Sequence, residues 1–594
     1  MLRRAAPRAL AVIVIAQLVS GIATAMGLLA VAAILSHLFD GGVSPERLSA
    51  ALPSIIQLIA IYLLRLAADV AAKAAKAHLV PKVHQIAEAE LYRSSLKASL
   101  ESFDDPVFYD RLLRARDRGV MHLEGAVDSM VDVGSSGFAV VGATIALMIL
   151  HPLLFAILVF ALLPEGWAAL ASARLQYAGM TTTIVLSRQV QMMAELATQR
   201  ESASEIRANQ SEDYVLTAYG KHAALLQKHL IDLGLKETRV AAIGHLLSGA
   251  GMLATFAALI WMLQVGWLSV AAAGASVVAI RSAGAEITRL IQASNSLVER
   301  GLYICDYHDF INGIVDDAAR DAAARIVAAP GDAASGVGRI EVVDVGFSYP
   351  NSAGEPALGR VSLVIEPGQI IAFVGENGSG KTTLAKIIAG LYRPTSGQVL
   401  WDGIDIRGLD RSAAAAKVAM VLQEPVRWPR TARENIRIGR HDRVDPDDSA
   451  LLAAAREAHA LDVIERLPKA WDTLLSKEFH GGYDLSTGQW QRLAIARGLY
   501  RDAPLVIWDE PAAPLDAKAE CAVYDSLRRL SAGRTVILIT HRLASIRDAD
   551  RIFLLDRGSI AESGRHEELM ALDGKYAELY RLQARLHAIE DAMK

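Results

Sequence analysis

Residues Gly375 to Thr382 read G-E-N-G-S-G-K-T. The octet fits G-x-x-x-x-G-K-[ST], a loop that wraps a nucleotide's phosphates. Gly375, Gly378 and Gly380, with Asn377 and Ser379 among them, let the backbone turn tightly enough to aim successive N–H groups at the β- and γ-phosphates. Lys381 adds positive charge beside those oxygens, and Thr382 offers a hydroxyl to Mg²⁺. The apolar run Ile370–Val374 predicts a buried parallel strand before the loop. From Thr383 to Ile388 the chain opens a helix, whose N-terminus favours anions. A second apolar run, Leu505–Trp508, ends in the carboxylates Asp509 and Glu510. Asp509 is expected to hold Mg²⁺, directly or through water, and Glu510 to orient or deprotonate an attacking water.

These groups must be positioned by a chain of 594 residues, too long for one domain. Hydrophobic residues make up 52%, which places part of it in lipid. A net charge of −4 gives no sign of a nucleic-acid partner. Cys305 and Cys521, the only cysteines, supply neither a disulfide framework nor zinc spacing. Arg3, Arg4 and Arg8 precede an apolar run that is too long for a signal peptide and closes without a small-x-small site, so it reads as a membrane helix.

Six apolar segments fall near 10–35, 50–72, 130–150, 153–173, 240–265 and 268–290, each long enough to cross a bilayer. The connections at 73–129 and 174–239 are rich in Lys and Arg, whereas the intervening turns are short and nearly free of them. The positive-inside rule therefore makes the N-terminus and both long loops cytoplasmic. Those loops still read as helix, so the membrane helices are expected to extend well into the cytosol. Residues 314–338, rich in Ala, Asp and Gly, read as a linker. From Arg339 short strands, glycine turns and amphipathic helices indicate a soluble α/β domain. The expected architecture is a multidomain membrane protein: an all-α six-helix transmembrane domain over 1–313, then an α/β phosphate-loop ATPase domain over 339–594. Without an internal repeat in the second half, one nucleotide domain per chain is expected.

Leu485-Ser486-Thr487-Gly488-Gln489, ahead of a helix, resembles the L-S-G-G-Q signature of ABC transporters. Tyr349, Gln423, Asp516 and His541 match that family's other stations in order and approximate spacing. The resemblance implies that Tyr349 stacks on adenine and that Gln423 links the Mg²⁺ site to the membrane domain. It implies that Ser486 and Gly488, with Gln489 beside them, bind the γ-phosphate held by an opposite subunit. Asp516 would lie at the dimer seam, and His541 would contact the γ-phosphate. Two residues depart from the pattern: Thr487 replaces a glycine and Pro514 an alanine.

Six membrane helices ahead of one nucleotide domain resemble an exporter half-transporter in a bacterial cytoplasmic membrane. The resemblance implies a pair of chains, a homodimer by default or one with a paralogous half-transporter, that sandwiches two ATP molecules. Phe103–Arg111 and Glu205–Tyr219 look like its coupling helices. Phe108-Tyr109-Asp110, Pro425-Val426-Arg427-Trp428-Pro429, Glu434-Asn435-Ile436 and Gly488-Gln489-Trp490-Gln491 resemble peptidase-free exporters of lantibiotics and related peptides. Peptide is then the leading cargo, with a lipid or amphipathic drug as runner-up, and no N-terminal peptidase is expected because no cysteine precedes Cys305. A membrane sensor that hydrolyses ATP without moving cargo is the rival from another class.

Charges inside membrane segments face a cavity or a partner. Glu165 follows Pro164 near mid-bilayer, where the proline should kink or open the helix. Arg65 and Asp69, four apart, can pair on one helix face. Arg281 lies similarly deep in the sixth segment. Glu165 and Arg281 are the expected wall of a translocation cavity, with internal ion pairing as the alternative.

Overall fold

The computed structural model describes residues 2–39, 45–325, 337–350, 356–409, 411–511 and 533–592. The chain divides into two compact units, one of residues 1–96 with 110–313, the other of residues 97–109 with 314–594.

Long helices make the first unit: α1 (Pro7–Phe39), α2 (Pro45–Ser95), α3 (Val120–Leu150), α4 (Pro152–Thr198), α5 (Glu212–Gln264) and α6 (Val270–Arg325), the last counted to the first unit as far as Gly313. Among the described residues six helical spans are long and apolar enough to cross a membrane, and each overlaps one of the six apolar segments of the sequence. The helices run far beyond those segments, as the helical reading of the loops anticipated. Residues 314–325, read as linker, are the last turns of α6. Helix α4 continues through Pro164 with no break in its helical assignment.

Burial within this unit is inverted relative to a soluble protein. Leu147, Leu154, Leu158, Met262 and Ile280 are buried together. Phe160, Leu253 and Leu246 are exposed by 76%, 73% and 76%, as side chains destined for lipid must be.

The second unit holds two sheets. The smaller is antiparallel, from β1 (Ile340–Phe347), β2 (Leu358–Ile365), β4 (Ser396–Trp401) and β5 (Ile404–Asp405) in the order β2-β1-β4-β5. The larger contains β3 (Ile370–Val374), β6 (Val418–Val421), β7 (Leu505–Asp509), β8 (Thr535–Ile539), β9 (Arg551–Asp556) and β10 (Ser559–Gly564), in the order β10-β9-β3-β8-β7-β6. Its five members other than β10 run parallel. These strands are buried on both faces, which explains their continuous apolar runs. Alternate residues feed two cores. Ile371, Phe373, Ile507 and Ile537 meet the smaller sheet and helix α7 (Lys381–Ile388). Ala372, Val374, Trp508 and Leu538 meet helix α8 (Thr487–Arg501) and its neighbours.

Residues 97–109 belong to this unit. Tyr392 donates a 2.6 Å hydrogen bond to Asp104, and the Arg393 N–H donates to Glu101. Burial, then the Asp104 carboxylate, hold the Tyr392 phenol well above its ordinary pKa. The first segment read as a coupling helix therefore docks through residues lying partly ahead of Phe103. The second is interrupted: Arg200–Ala208 is a separate short helix, and α5 starts at Glu212.

Candidate active site

The sheet order explains why distant motifs converge. Strands β3, β8, β7 and β6 are consecutive neighbours and parallel, so their C-terminal ends form one row. The phosphate loop follows β3, His541 follows β8, Glu510 follows β7 and Gln423 follows β6. In open parallel sheets ligands bind beyond these ends.

In the loop Gly375 has φ +143° and Gly380 φ +98°, which L side chains rarely adopt. A Cβ at Gly375 would stand 2.2 Å from the Leu555 carbonyl, and one at Gly380 2.6 Å from Leu358 Cδ2. Any larger residue would thus be strained and would collide. Lys381 Nζ donates to the carbonyls of Gly375 (2.9 Å) and Glu376 (2.7 Å), curling over its own loop. Burial lowers its pKa, while Glu510 and Asp509 oppose that shift. The Ser379 Oγ is buried without a hydrogen-bond partner among the described residues. An orphaned donor beside an ammonium group in a glycine cradle fits a phosphate.

Thr382 Oγ1 donates to Asp509 Oδ1 at 3.2 Å. Burial raises the Asp509 pKa, the Thr382 hydrogen bond opposes it, and Glu510 adds to it. A divalent cation would relieve that buried charge. Hydroxyl plus carboxylate is also the sparse protein donor set of Mg²⁺, which takes its remaining ligands from phosphate and water. Residues Thr382 and Asp509 therefore fit the ion, which would neutralise phosphate charge when bound.

Glu510 has φ +46° and donates its N–H to the Ile539 carbonyl at 2.9 Å. A left-handed glutamate is strained, and such strain clusters at functional sites. Its Oε1 lies 3.1 Å from His541 Nδ1, and the glutamate side chain is 11% exposed. Glu510, expected as the base, and His541, expected to contact the γ-phosphate as a switch, are thus neighbours. The Tyr349 hydroxyl bonds the Thr383 hydroxyl at 2.8 Å, and its ring meets Phe347 and Tyr392 edge-on.

The signature stands at the start of α8, outside the row of strand ends. Ser486 caps the helix: its Oγ accepts the Gln489 N–H, and Gln489 Oε1 accepts the Ser486 N–H, a reciprocal capping box. Thr487 occupies the first helical position and is exposed with negative φ, so the departure from glycine strains nothing. Asp516 and Pro514 lie outside the described residues.

Sequence reasoning overlooked two supports. Gln491 is fully buried, and its carboxamide donates to the Leu422 carbonyl, next to exposed Gln423. Asn435, also fully buried, donates to the carbonyls of Trp428, Arg430 and Thr431, while Arg497 grips Asn435 in turn. Both were visible only as residues inside resembling motifs. A buried amide could have been suspected because polar side chains sit at apolar-period positions of their helices.

Residues 358–513 match the family model described as ABC transporter. The second unit contains an ABC ATPase domain. ABC relatives cover parts of the chain. Over 294 residues it is 39% identical to an ATP-dependent lipid A-core flippase of Thiobacillus denitrificans, covering 49% of this chain and 48% of the relative. Over 248 residues it is 43% identical to a mitochondrial potassium channel ATP-binding subunit of Pongo abelii, covering 42% and 34%. These matches span about a third to a half of the relatives' lengths. The whole fold is similar to a bacterial Atm1-family ABC exporter with ATP bound, at TM-score 0.80 and 21% identity, over 98% of this chain and 99% of that one. The chain thus has the exporter fold, and its ABC domain is one that binds ATP.

The membrane-half candidates separate. A cavity of about 660 Å³ in the first unit is lined by Arg65, Asp69, Lys73, Asp132, Glu286 and Arg300, among others. Arg65 and Asp69 do not pair with each other. Arg65 lies 3.5 Å from Glu286, and Asp69 accepts from the Ser20 hydroxyl at 3.2 Å. Helical spacing allowed the intrahelical pair, but tertiary packing offered each group a partner on another helix. Glu165 is outside that cavity wall, accepting from Thr288 at 3.2 Å and lying 4.0 Å from His245. Arg281 is exposed and does not line the cavity either.

Proposed function

We propose that this chain is a half-transporter that uses ATP to export an amphipathic cargo with a charged headgroup across a bacterial cytoplasmic membrane, as a pair with a second copy of itself. The observation that carries the reading is the charged cavity set among helices whose outer faces are apolar. It offers cations and anions on α2, α3 and α6, with α1 closing the remaining wall. A purely apolar drug would offer those internally paired charges nothing to exchange with, whereas a headgroup bearing phosphate or amine would pair with them. The names of lipid A-core flippases among the relatives favour a lipid over a peptide.

In the ATPase domain Lys381, the loop amides and Ser379 would bind the phosphates, and Thr382 with Asp509 would hold Mg²⁺. Glu510 would take a proton from the attacking water at its carboxylate, with His541 holding that carboxylate in place. Asp104 and Glu101, seated on Tyr392 and Arg393, would carry the domain's movement to the membrane helices.

The peptide reading is retained because four short motifs resemble peptide exporters. Reconstitution in proteoliposomes decides between them. Phospholipid or glycolipid analogues should stimulate ATPase and show ATP-dependent translocation, with Glu510→Gln as blank. Stimulation and flux by a leader-bearing peptide alone would replace lipid by peptide. ATPase without flux of either would favour the sensor.

A further inference from the structure

The segment that carries His541 secures its own backbone at Arg542, whose N–H donates to Thr540 Oγ1 at 3.0 Å and whose carbonyl accepts from the Ser545 hydroxyl at 2.8 Å. It continues into a 3₁₀ turn, Leu543–Ile546, for which Arg542 at the capping position provides no side-chain hydrogen bond. The residues on either side of Arg542 are held by helix α9 (Lys575–Ala592), at the far end of the sequence. The Leu543 N–H donates to Gln583 Oε1 at 2.9 Å, and Gln583 Nε2 donates to the His541 carbonyl. One carboxamide thus holds the backbone on both sides of Arg542, using its acceptor and its donor together. An Ala, Glu or Lys could not do both.

The holder is itself fixed. Tyr576 and Ala577 of α9 are fully buried, and the Tyr576 hydroxyl lies 2.9 Å from His566 Nδ1. The held residue is less constrained by packing, since the His541 side chain is 49% exposed and its charged partner is Glu510 at 3.1 Å. Its ring direction therefore depends on the backbone that presents it.

We infer that Gln583 is a positioning residue for the ATPase reaction: its carboxamide clamps the backbone around His541 and so aims the imidazole at Glu510 and the γ-phosphate. The inference rests on reading His541 as the switch. A chain whose last helix is displaced would retain its phosphate loop, signature and base but hydrolyse ATP slowly.

The test uses the full chain in nanodiscs, comparing wild type, Gln583→Met, Gln583→Glu, His541→Ala and both double variants. Methionine keeps the length and loses both hydrogen bonds. Glutamate keeps the acceptor and sets a carboxylate against the His541 carbonyl, serving as a second variant should methionine not fold. Either change should lower kcat about three- to tenfold, with KM for ATP within about twofold and Tm within about 2 °C of wild type. Neither should lower turnover further in the His541→Ala background, where there is no imidazole to aim. An equal fold-loss in that background, or wild-type kcat in both single variants, would overturn the clamp alone. Wild-type turnover by His541→Ala would overturn the switch reading and the clamp with it.

Discussion

The two units solve opposite problems with charge. In the ATPase domain buried polar and charged groups are left with unfilled capacity: Lys381 rests on loop carbonyls, Ser379 Oγ has no partner among the described residues, and Asp509 carries a raised pKa against one threonine. In the membrane unit Glu286, 7% exposed, is met by both Arg65 and Arg289. Unfilled capacity awaits a small ligand of fixed shape. Internal pairing keeps charges soluble in a low-dielectric surrounding until something exchanges with them. The first arrangement commits the domain to one ligand class; the second leaves the cargo open.

The sharpest way to break the comparison is at Glu510. Glu510→Gln removes the proposed base but keeps shape and length. Phosphate release should fall about 100- to 10,000-fold with ATP binding retained. Binding lost together with turnover would mean that the strained glutamate, φ +46°, supports the loop rather than the chemistry.

Asp509→Asn should separate stability from function. Burial raises the folded pKa of Asp509, so its charge opposes folding at neutral pH. That penalty is relieved as pH falls through the folded pKa and is gone below the ordinary value of 3.8. The nucleotide-free variant should melt about 2–4 °C higher at pH 7.5, with the gain shrinking in acid. Mg²⁺-dependent turnover should be lost. A lower Tm at pH 7.5 would show that the carboxylate is already compensated, and the contrast between the units would fail.

The same contrast explains what was legible in sequence. Glycine spacing, a lysine and a strand ending in two acids specify local geometry, so the sequence could place a loop after β3 and two carboxylates at the end of β7. Hydropathy marked the six membrane segments because lipid acts on every residue of a span. Pairing among membrane charges was not legible. Arg65 and Asp69 satisfy helical spacing, yet Glu286 lies more than 200 positions along the chain from Arg65. Gln583 was invisible for the same reason, since its value lies in two backbone groups some 40 residues away.

Within the membrane unit Arg65 and Arg281 offer a matched pair. Arg65→Met removes a cavity-lining cation and leaves Glu286 with Arg289 alone, so cargo-stimulated ATPase should fall about three- to tenfold while the basal rate holds. Arg281→Gln, at an exposed position outside that cavity, should change either rate by less than about twofold. The reverse ranking would move the cargo path to the face that bears Arg281.

The smallest effect is expected at Thr487, where resemblance alone would forecast a large one. The family's glycine suggests that bare backbone must approach phosphate there. In this chain the position is the first residue of α8, with negative φ and an exposed side chain, and the cap is made by Ser486 and Gln489 around it. Nothing in the fold requires glycine, and glycine at a helical position costs about 0.5–1 kcal/mol. Thr487→Gly should therefore lower Tm by only about 1–2 °C and raise ATPase less than about twofold. A rise of tenfold or more, measured as phosphate release at saturating ATP, would mean that the threonine methyl obstructs the partner's nucleotide. The signature would then belong with the membrane charges, as a part whose fit is decided only against something outside the chain.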